Sequence, residues 1–376
     1  MTAQTLSIAL RNGTDSNNVF AYVTGHATIN NKSVLVLLQA DGQTPYYPVS
    51  PPSDGSPLAV NCSIPFGGPG STTTITVPRI YGTRLWFCVN DTLTFLLNPG
   101  PGLVEPSVSN PSDPNYHKTW DFCEFTFNEF QVFANITYVD FVCLPISLSL
   151  VNTSNATQTV PGIPVNGLDT ICAGLQAQNA NDGAGWNQLI VNNNGTNLRA
   201  LSPNTGIVMN PNLFSGYYNS YVQAVWGKYA STPLTMDTQA QWGALTGNVV
   251  NNLLTFAGVG TFSQPSAADI FSCSTGPFAQ AQTNTDEMGA ITARLAAALN
   301  RSTLLNNSQQ PDAEVANNYY QTSPTNHYSR IVHAANTDKR GYAFPYDDVG
   351  PNGGQDQSGA VFDGSPVLLT VSVGGN

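Results

Sequence analysis

Charge is what this sequence has least of. Only 9% of its 376 residues are charged, against about 25% in an average soluble protein. There are four lysines in all, and the net charge is −11. A surface so poor in cations repels phosphate backbones and anionic lipid, which excludes nucleic acid and a membrane surface as partners. No apolar run approaches the roughly 18 residues of a membrane span. The four histidines are scattered, and no CxxC or HxxH pair occurs, so a metal site has no framework and none is expected.

Gly (33), Pro (26), Asn, Ser and Thr fill the gap left by charge. That composition suits a loop-rich, mostly β protein, and the length suits two domains at roughly 150 residues each. A neutral polysaccharide is the ligand class that fits such a surface, since glycans are held by aromatics, amides and carboxylates. Ten Asn-X-Ser/Thr sequons occur, at Asn12, Asn31, Asn61, Asn90, Asn135, Asn152, Asn155, Asn194, Asn300 and Asn306. Together with scarce lysine they point to a secreted eukaryotic glycoprotein. No signal peptide is present, so the chain reads as a mature form with an added Met1. Six cysteines fit up to three disulfides, with fifteen connectivities open.

Residues 1–150 read as short strands bounded by turn residues: SVLVLLQ (33–39), TTTITV (72–77), RLWFCV (84–89) and TLTFLL (92–97). The Pro/Gly-rich segment 98–115 is a long loop, a class that in compact domains is usually functional or mobile. Helical spacing begins near 165, with further helices over 214–230 and 285–305. In the last of these Asp286 and Glu287 suit the N-terminal dipole, and Met288, Ile291, Leu295 and Leu299 form a core stripe. Strand pattern returns in 361–373. The fold class is therefore mainly β with an α/β insertion. A β-barrel or sandwich domain spans 1–164, with 326–376 returning to it, and a mixed α/β domain spans 165–325.

WDFCEFTFNEFQVFANITYVDFV (120–142) holds the chemistry. Residues i and i+2 of a strand share a face. Glu124, Thr126 and Asn128 share one face while Phe125 and Phe127 take the other; Tyr138 and Asp140 share a face in the second segment. A hairpin across 129–135, centred on position 132, sets Glu124 opposite Asp140 and Thr126 opposite Tyr138. Two carboxylates held this close raise one pKa, leaving an acid and a base as glycoside hydrolysis requires. A register shift of two residues keeps the face but changes the gap, so retaining and inverting geometries both stay open. The plain alternative is a solvated sheet face.

The stretch SDPNYHKTWDFCEFTFN with the later YVDFVCLP resembles the laminaripentaose-producing β-1,3-glucanases of glycoside hydrolase family 64. GWNQLIVNN (185–193), YYNSYVQAVWGKY (217–229), DIFSCSTGPFA (269–279), ARLAAALNRSTLL (293–305), NHYSRIVH (326–333) and GYAFPYDDVGP (341–351) agree in order over nearly the whole chain. The resemblance implies a thaumatin-like β domain beside a mixed α/β domain, with a wide acidic groove between them. It implies an inverting endo-hydrolase of long β-1,3-glucan, releasing mainly a pentasaccharide and needing no cofactor; the chain itself is expected to be a secreted monomer. Glu124 is then the general acid and Asp140 the general base. Thr126, Asn128 and Asp113 become substrate contacts, and Asp347 and Asp348 of FPYDD resemble acidic cleft residues. Solvated strand face or turn chemistry is the competing role for each of these five.

Where a tryptophan platform is expected after the acid strand, this chain offers Phe130 and Phe133. Cys123 and Cys143 are near enough in register to be bridged or both free, and Cys172 and Cys273 are candidates to staple the α/β domain. A non-catalytic thaumatin-like glucan-binding protein is the main rival reading. Both carboxylates speak against it, because a pure binder has no need of the second. A structural or defence protein with a protein-binding cleft is a third reading that nothing specific supports.

Overall fold

The computed structural model describes residues 1–375. Its first structural layer is a five-stranded sheet in the order Thr157–Val160, Ile146–Asn152, Pro366–Val373, Thr5–Asn12, Thr72–Pro78. The C-terminal strand lies parallel to the N-terminal one and antiparallel to Ile146–Asn152. The second layer is a larger sheet in the order Ala360–Asp363, Val132–Ile136, Thr119–Phe127, Ile80–Val89, Val19–Ile29, Lys32–Leu38, Pro45–Tyr46, with Ile64–Pro65 alongside Val19–Ile29. Alternation assigns the faces. Ile8, Leu10, Ile75 and Val371 from one sheet and Leu85, Phe87, Phe125 and Phe127 from the other are buried in one core. No sheet closes among the described residues, so this part is a pair of open sheets and not a barrel.

Among the described residues all six α-helices lie between residues 167 and 335. Asp286–Arg301 starts at Thr285, whose hydroxyl accepts the Met288 N–H, and it buries Ile291, Leu295 and Leu299 as its stripe requires. Helix His327–Ala335 packs on Gly167–Asp182 so closely that a Cβ at Gly174 would lie 2.8 Å from Ile331 Cγ2. The segment 214–218, read from sequence as helix, is turn, and the helix begins at Asn219. TLTFLL forms strand only from Leu96. No helix of the described residues is long and apolar enough to cross a membrane.

Three expectations are corrected here. All six cysteines are free and buried; burial makes each a small apolar filler, and no disulfide staples either part among the described residues. The hairpin that carries Glu124 turns at 128–131, not across 129–135. Its register pairs Glu124 with Asn135 and Thr126 with Phe133, so Asp140 lies beyond the partner strand, which ends at Ile136. Finally, the sequon residues Asn12, Asn135 and Asn300 are buried. The Asn12 amide donates to Ser16 and Gly67 carbonyls and that of Asn300 to Ile270 and Ala296, which leaves neither free to carry a glycan.

Candidate active site

The outer face of the larger sheet is covered at one end and open at the other. Trp86, Trp120 and Phe122 occupy the covered end, where Phe95 and Phe141 close over them with ring centroids 5.6 Å (Trp86–Phe95) and 4.9 Å (Trp120–Phe141) apart. The fully buried Arg199 guanidinium lies against Tyr116, Trp120 and Phe141 and donates to the Lys118 carbonyl. Two residues further along the same strands the face opens. Arg84, Glu124 and Asn135 stand side by side there, because Arg84 pairs with Glu124 and Glu124 with Asn135 across adjacent strands. Together with Glu105, Thr126 and Phe133 they line a cleft of about 490 Å³. Gly82 lies at its floor in the left-handed region (φ +54), and a Cβ there would meet nothing within 4 Å.

Arg84 is the hub of the cleft. Its Nη1 donates to Glu105 Oε2 at 2.7 Å and its Nε to Glu124 Oε1 at 3.4 Å. The guanidinium sits 4.7 Å from the Phe122 ring centroid. Glu105 comes from the long loop and also accepts from Thr24 Oγ1 at 3.4 Å, while Trp86 Nε1 fixes that hydroxyl at 2.9 Å. Burial pushes the Glu124 carboxyl above its ordinary pKa. Arg84 opposes that shift, and the charges of Asp140 and Glu105 add to it. The Asp140 carboxyl is also raised by burial, with Arg84 again opposing. Both carboxylates therefore feel the same cation, and Glu124 feels Asp140.

Asp140 does not line this cleft; it comes from a separate segment, and its charge reaches Glu124. It precedes the short strand Phe141–Val142, which pairs with Thr196–Leu201. Its carbonyl accepts the Ser202 N–H at 2.9 Å. Two residues before it, the buried Tyr138 donates to Asn336 Oδ1 and its carbonyl accepts from Tyr328 Oη at 2.7 Å. Three and four residues after it, the Cys143 and Leu144 N–H groups donate to Asp121 Oδ2 at 2.8 and 2.9 Å. Asp121 lies three residues before Glu124 on the same strand, so one buried carboxylate ties the two segments together. The site carries a half-buried acid, a second carboxylate acting on it, a cation between acidic partners and an open floor. Such a set can hold one carboxyl protonated and another ionised.

Of the remaining sequence candidates one lines the cleft and the others lie elsewhere. Thr126 lines the cleft. Asn128 is engaged in the hairpin turn, where its Oδ1 accepts the Phe130 and Gln131 N–H groups. The Asp113 carboxylate accepts from Asn115 N at 2.7 Å, which is the turn role. Asp347 is fully buried: Oδ1 accepts from Arg301, and Oδ2 from His333 Nε2 and Ala343 N, at 2.9, 2.9 and 3.0 Å. With no accessible oxygen it is a structural ion pair and not a sugar contact. Asp348 is exposed and accepts from Tyr342 Oη at 3.4 Å. Phe130 is 73% exposed at the hairpin tip and does not line the cleft, whereas Phe133 does. Sequence reasoning missed Arg84, Glu105 and Asn135. Alternation in RLWFCV aims Arg84 to the face of Trp86, but only pairing sets it beside Glu124. Glu105 is the sole carboxylate between Asp91 and Asp113, in a loop already marked as long.

A family model described as β-1,3-glucanase matches residues 4–373. The glucan endo-1,3-β-glucosidases of Cellulosimicrobium cellulans and of Arthrobacter sp. (strain YCWD3) are each 30% identical over 306 residues, covering 78% of this chain and 52% of theirs. The chain thus spans about half the length of those curated relatives. A crystal structure of a laminaripentaose-producing β-1,3-glucanase in complex with laminaritetraose superposes with a TM-score of 0.85 at 30% identity, covering 98% of both chains. A β-1,3-glucanase domain from Clostridium beijerinckii shares the fold, with a TM-score of 0.75 at 20% identity over 98% of both chains.

Proposed function

This chain belongs to the β-1,3-glucanases of glycoside hydrolase family 64, and from that premise we propose that it hydrolyses long, linear β-1,3-glucan by endo-type attack with inversion. Glu124 is the general acid. Its carboxyl, raised in pKa by burial and by the nearby negative charge of Asp140 and Glu105, protonates the departing glycosidic oxygen. Asp140 is the general base and activates a water on the opposite face of the sugar. Arg84 opposes the rise that burial gives to both carboxyls, so one cation limits how far either climbs. Thr126 and Asn135 supply polar contacts beside the acid. The products are short oligosaccharides, mainly the pentasaccharide made by the structural relative with which the chain aligns end to end.

This reading includes a thaumatin-like arrangement, in which the sheet pair and the helical part flank the substrate groove. The protein acts as a secreted monomer on extracellular glucan, and exposed sequons such as Asn31, Asn61 and Asn194 are its glycan acceptors. One observation carries the catalytic reading: Glu124 stands half-buried on the open cleft, bonded to Arg84, and feels the charge of a second carboxylate, Asp140, held from a separate, heavily anchored segment. A protein that only bound glucan would not need that second carboxylate.

Chain-length-resolved product release from linear β-1,3-glucan, with the anomer of the new reducing end followed by proton NMR, tests the proposal. Short oligosaccharides with the α anomer are expected. Glucan binding with no product would make the protein a binding module, and a β anomer would sink inversion.

A further inference from the structure

Two pairs of exposed rings flank the Glu124 strand on the same face of the sheet. On one side Thr126 pairs with Phe133, and Phe133 with Phe362 on the edge strand. The Phe133 and Phe362 rings are stacked, 6.4 Å between centroids at 20°, and they are 39% and 56% exposed. On the other side a bulge between Phe125 and Phe127 leaves Tyr81 and Gly82 beside Thr126, and Tyr81 pairs with His26. Their rings lie 6.0 Å apart at 30°, with Tyr81 37% exposed and His26 also exposed. Gly25, between Thr24 and His26, turns to the core, where a Cβ would meet Thr83 and Ile80. Thr24 and His26 therefore share the outer face with Arg84.

The order of strands is Phe362, Phe133, Glu124, Arg84–Tyr81, His26. Four strand steps at about 4.8 Å place the outer rings about 19 Å apart. The rings form a row one pleat beyond the polar row of Asn135, Glu124, Arg84 and Thr24. Beyond that polar row the face is closed by the Trp86, Trp120 and Phe122 cluster. A ligand on this face is thus walled on one side and free to run across the strands. Flat apolar ring faces beside carboxylate and amide groups are what a chain of neutral pyranoses needs, because its C–H faces stack on rings while its hydroxyls bond at the edges. Phe133 was already a candidate platform; Phe362, Tyr81 and His26 emerge only from the pairing.

We propose that β-1,3-glucan crosses the strands of this sheet and is held on both sides of Glu124, by the Phe133–Phe362 pair on one side and the Tyr81–His26 pair on the other. This rests on the glucan reading of the same site. It also makes productive binding depend on chain length, since only a chain of several sugar units reaches both pairs.

The test is the steady-state kinetics of Phe362→Ala and Tyr81→Ala on long linear β-1,3-glucan, with thermal unfolding measured alongside. Each is expected to raise KM about tenfold, equivalent to about 1.4 kcal/mol, with kcat changing much less. Phe362→Trp, which keeps a flat ring, is expected to hold the native KM, and Phe362→Leu is expected to behave like Ala. A simple cross-strand packing role would lower Tm and leave KM alone, and that result overturns the proposal. So does a change in KM for only one of the two sides. Binding of the three proteins to the same glucan separates this inference from the hydrolase reading. If the native chain releases no product but binds glucan, and both Ala variants bind it more weakly, the ring track stands and hydrolysis falls. If the native chain neither binds nor cleaves glucan, both fall.

Discussion

Replacing Asp347 by Asn tests whether the FPYDD motif serves the fold or the substrate. The Asp347 carboxylate has no exposed surface and is shared by Arg301, His333 and the Ala343 N–H. Arg301 also donates to the carbonyls of Asp347 and Val349 and stacks 4.3 Å from the Tyr319 ring centroid. An amide satisfies one side of this cluster and turns an N–H₂ toward donors on the other, leaving the buried guanidinium without its counter-charge. Breaking a buried pair in this way costs about 3–5 kcal/mol, a large part of the roughly 5–15 kcal/mol that holds a domain together. Equilibrium denaturation should show an unfolding free energy lower by that amount, as a lower midpoint at unchanged m-value, while KM for β-1,3-glucan stays native under conditions where the variant is folded. Adding Arg301→Met removes the uncompensated charge and should restore part of the loss. An unchanged midpoint with a raised KM would refute the reasoning, because it would put the carboxylate in contact with sugar.

The same cluster gives stability a pH window. Burial pushes Asp347 up, but His333, Arg301 and the Ala343 N–H outweigh it and hold the carboxyl below its usual value; its contribution is lost as pH falls through that depressed value. Burial pushes His333 down, but Asp347 and the Lys339 carbonyl outweigh it and hold the imidazole above its usual value. That contribution is complete below about pH 6.5 and is lost as pH rises through the raised value, so His333→Gln should flatten the alkaline side of a stability–pH curve, and an unaltered curve would deny the coupling. Arg84→Met removes the cation that lowers both Glu124 and Asp140, so both limbs of the kcat/KM profile should move to higher pH; a fixed or acid-shifted profile contradicts the hub role of Arg84. Thiol titration should find no reactive cysteine in the native protein and six in denaturant without reductant, whereas fewer than six would mean that disulfides form.

How far the sequence reached can be seen in the 120–142 stretch. Alternation alone placed Glu124 and Thr126 on one face and Phe125 and Phe127 on the other, because side-chain direction in a strand is local. Register is not local. It is set by the turn, and Asn128 closes that turn so early that Glu124 faces Asn135, five residues short of Asp140. Asp140 comes near Glu124 through tertiary anchors on Asn336, Tyr328, Ser202 and Asp121, none of them visible as a pattern in the chain. Helix Asp286–Arg301 was legible from its stripe and charged first turn. Ala267–Ser272 carried a signal that went unread, the capping box of Ser266 and Asp269. Disulfides were inferred from count and from a secreted composition, but only geometry decides whether six buried thiols pair.

In the proposed mechanism Glu124 gives a proton to the leaving oxygen while Asp140 takes one from water. The most direct measurement compares Glu124→Gln and Asp140→Asn on linear β-1,3-glucan and on an aryl β-1,3-oligoglucoside whose phenolate departs without a proton. On glucan both variants should lose at least about 10²-fold in rate. On the aryl substrate Glu124→Gln should recover much of its rate, and Asp140→Asn should not. Equal losses for Glu124→Gln on both substrates, or native rates on glucan for either variant, would contradict the assignment.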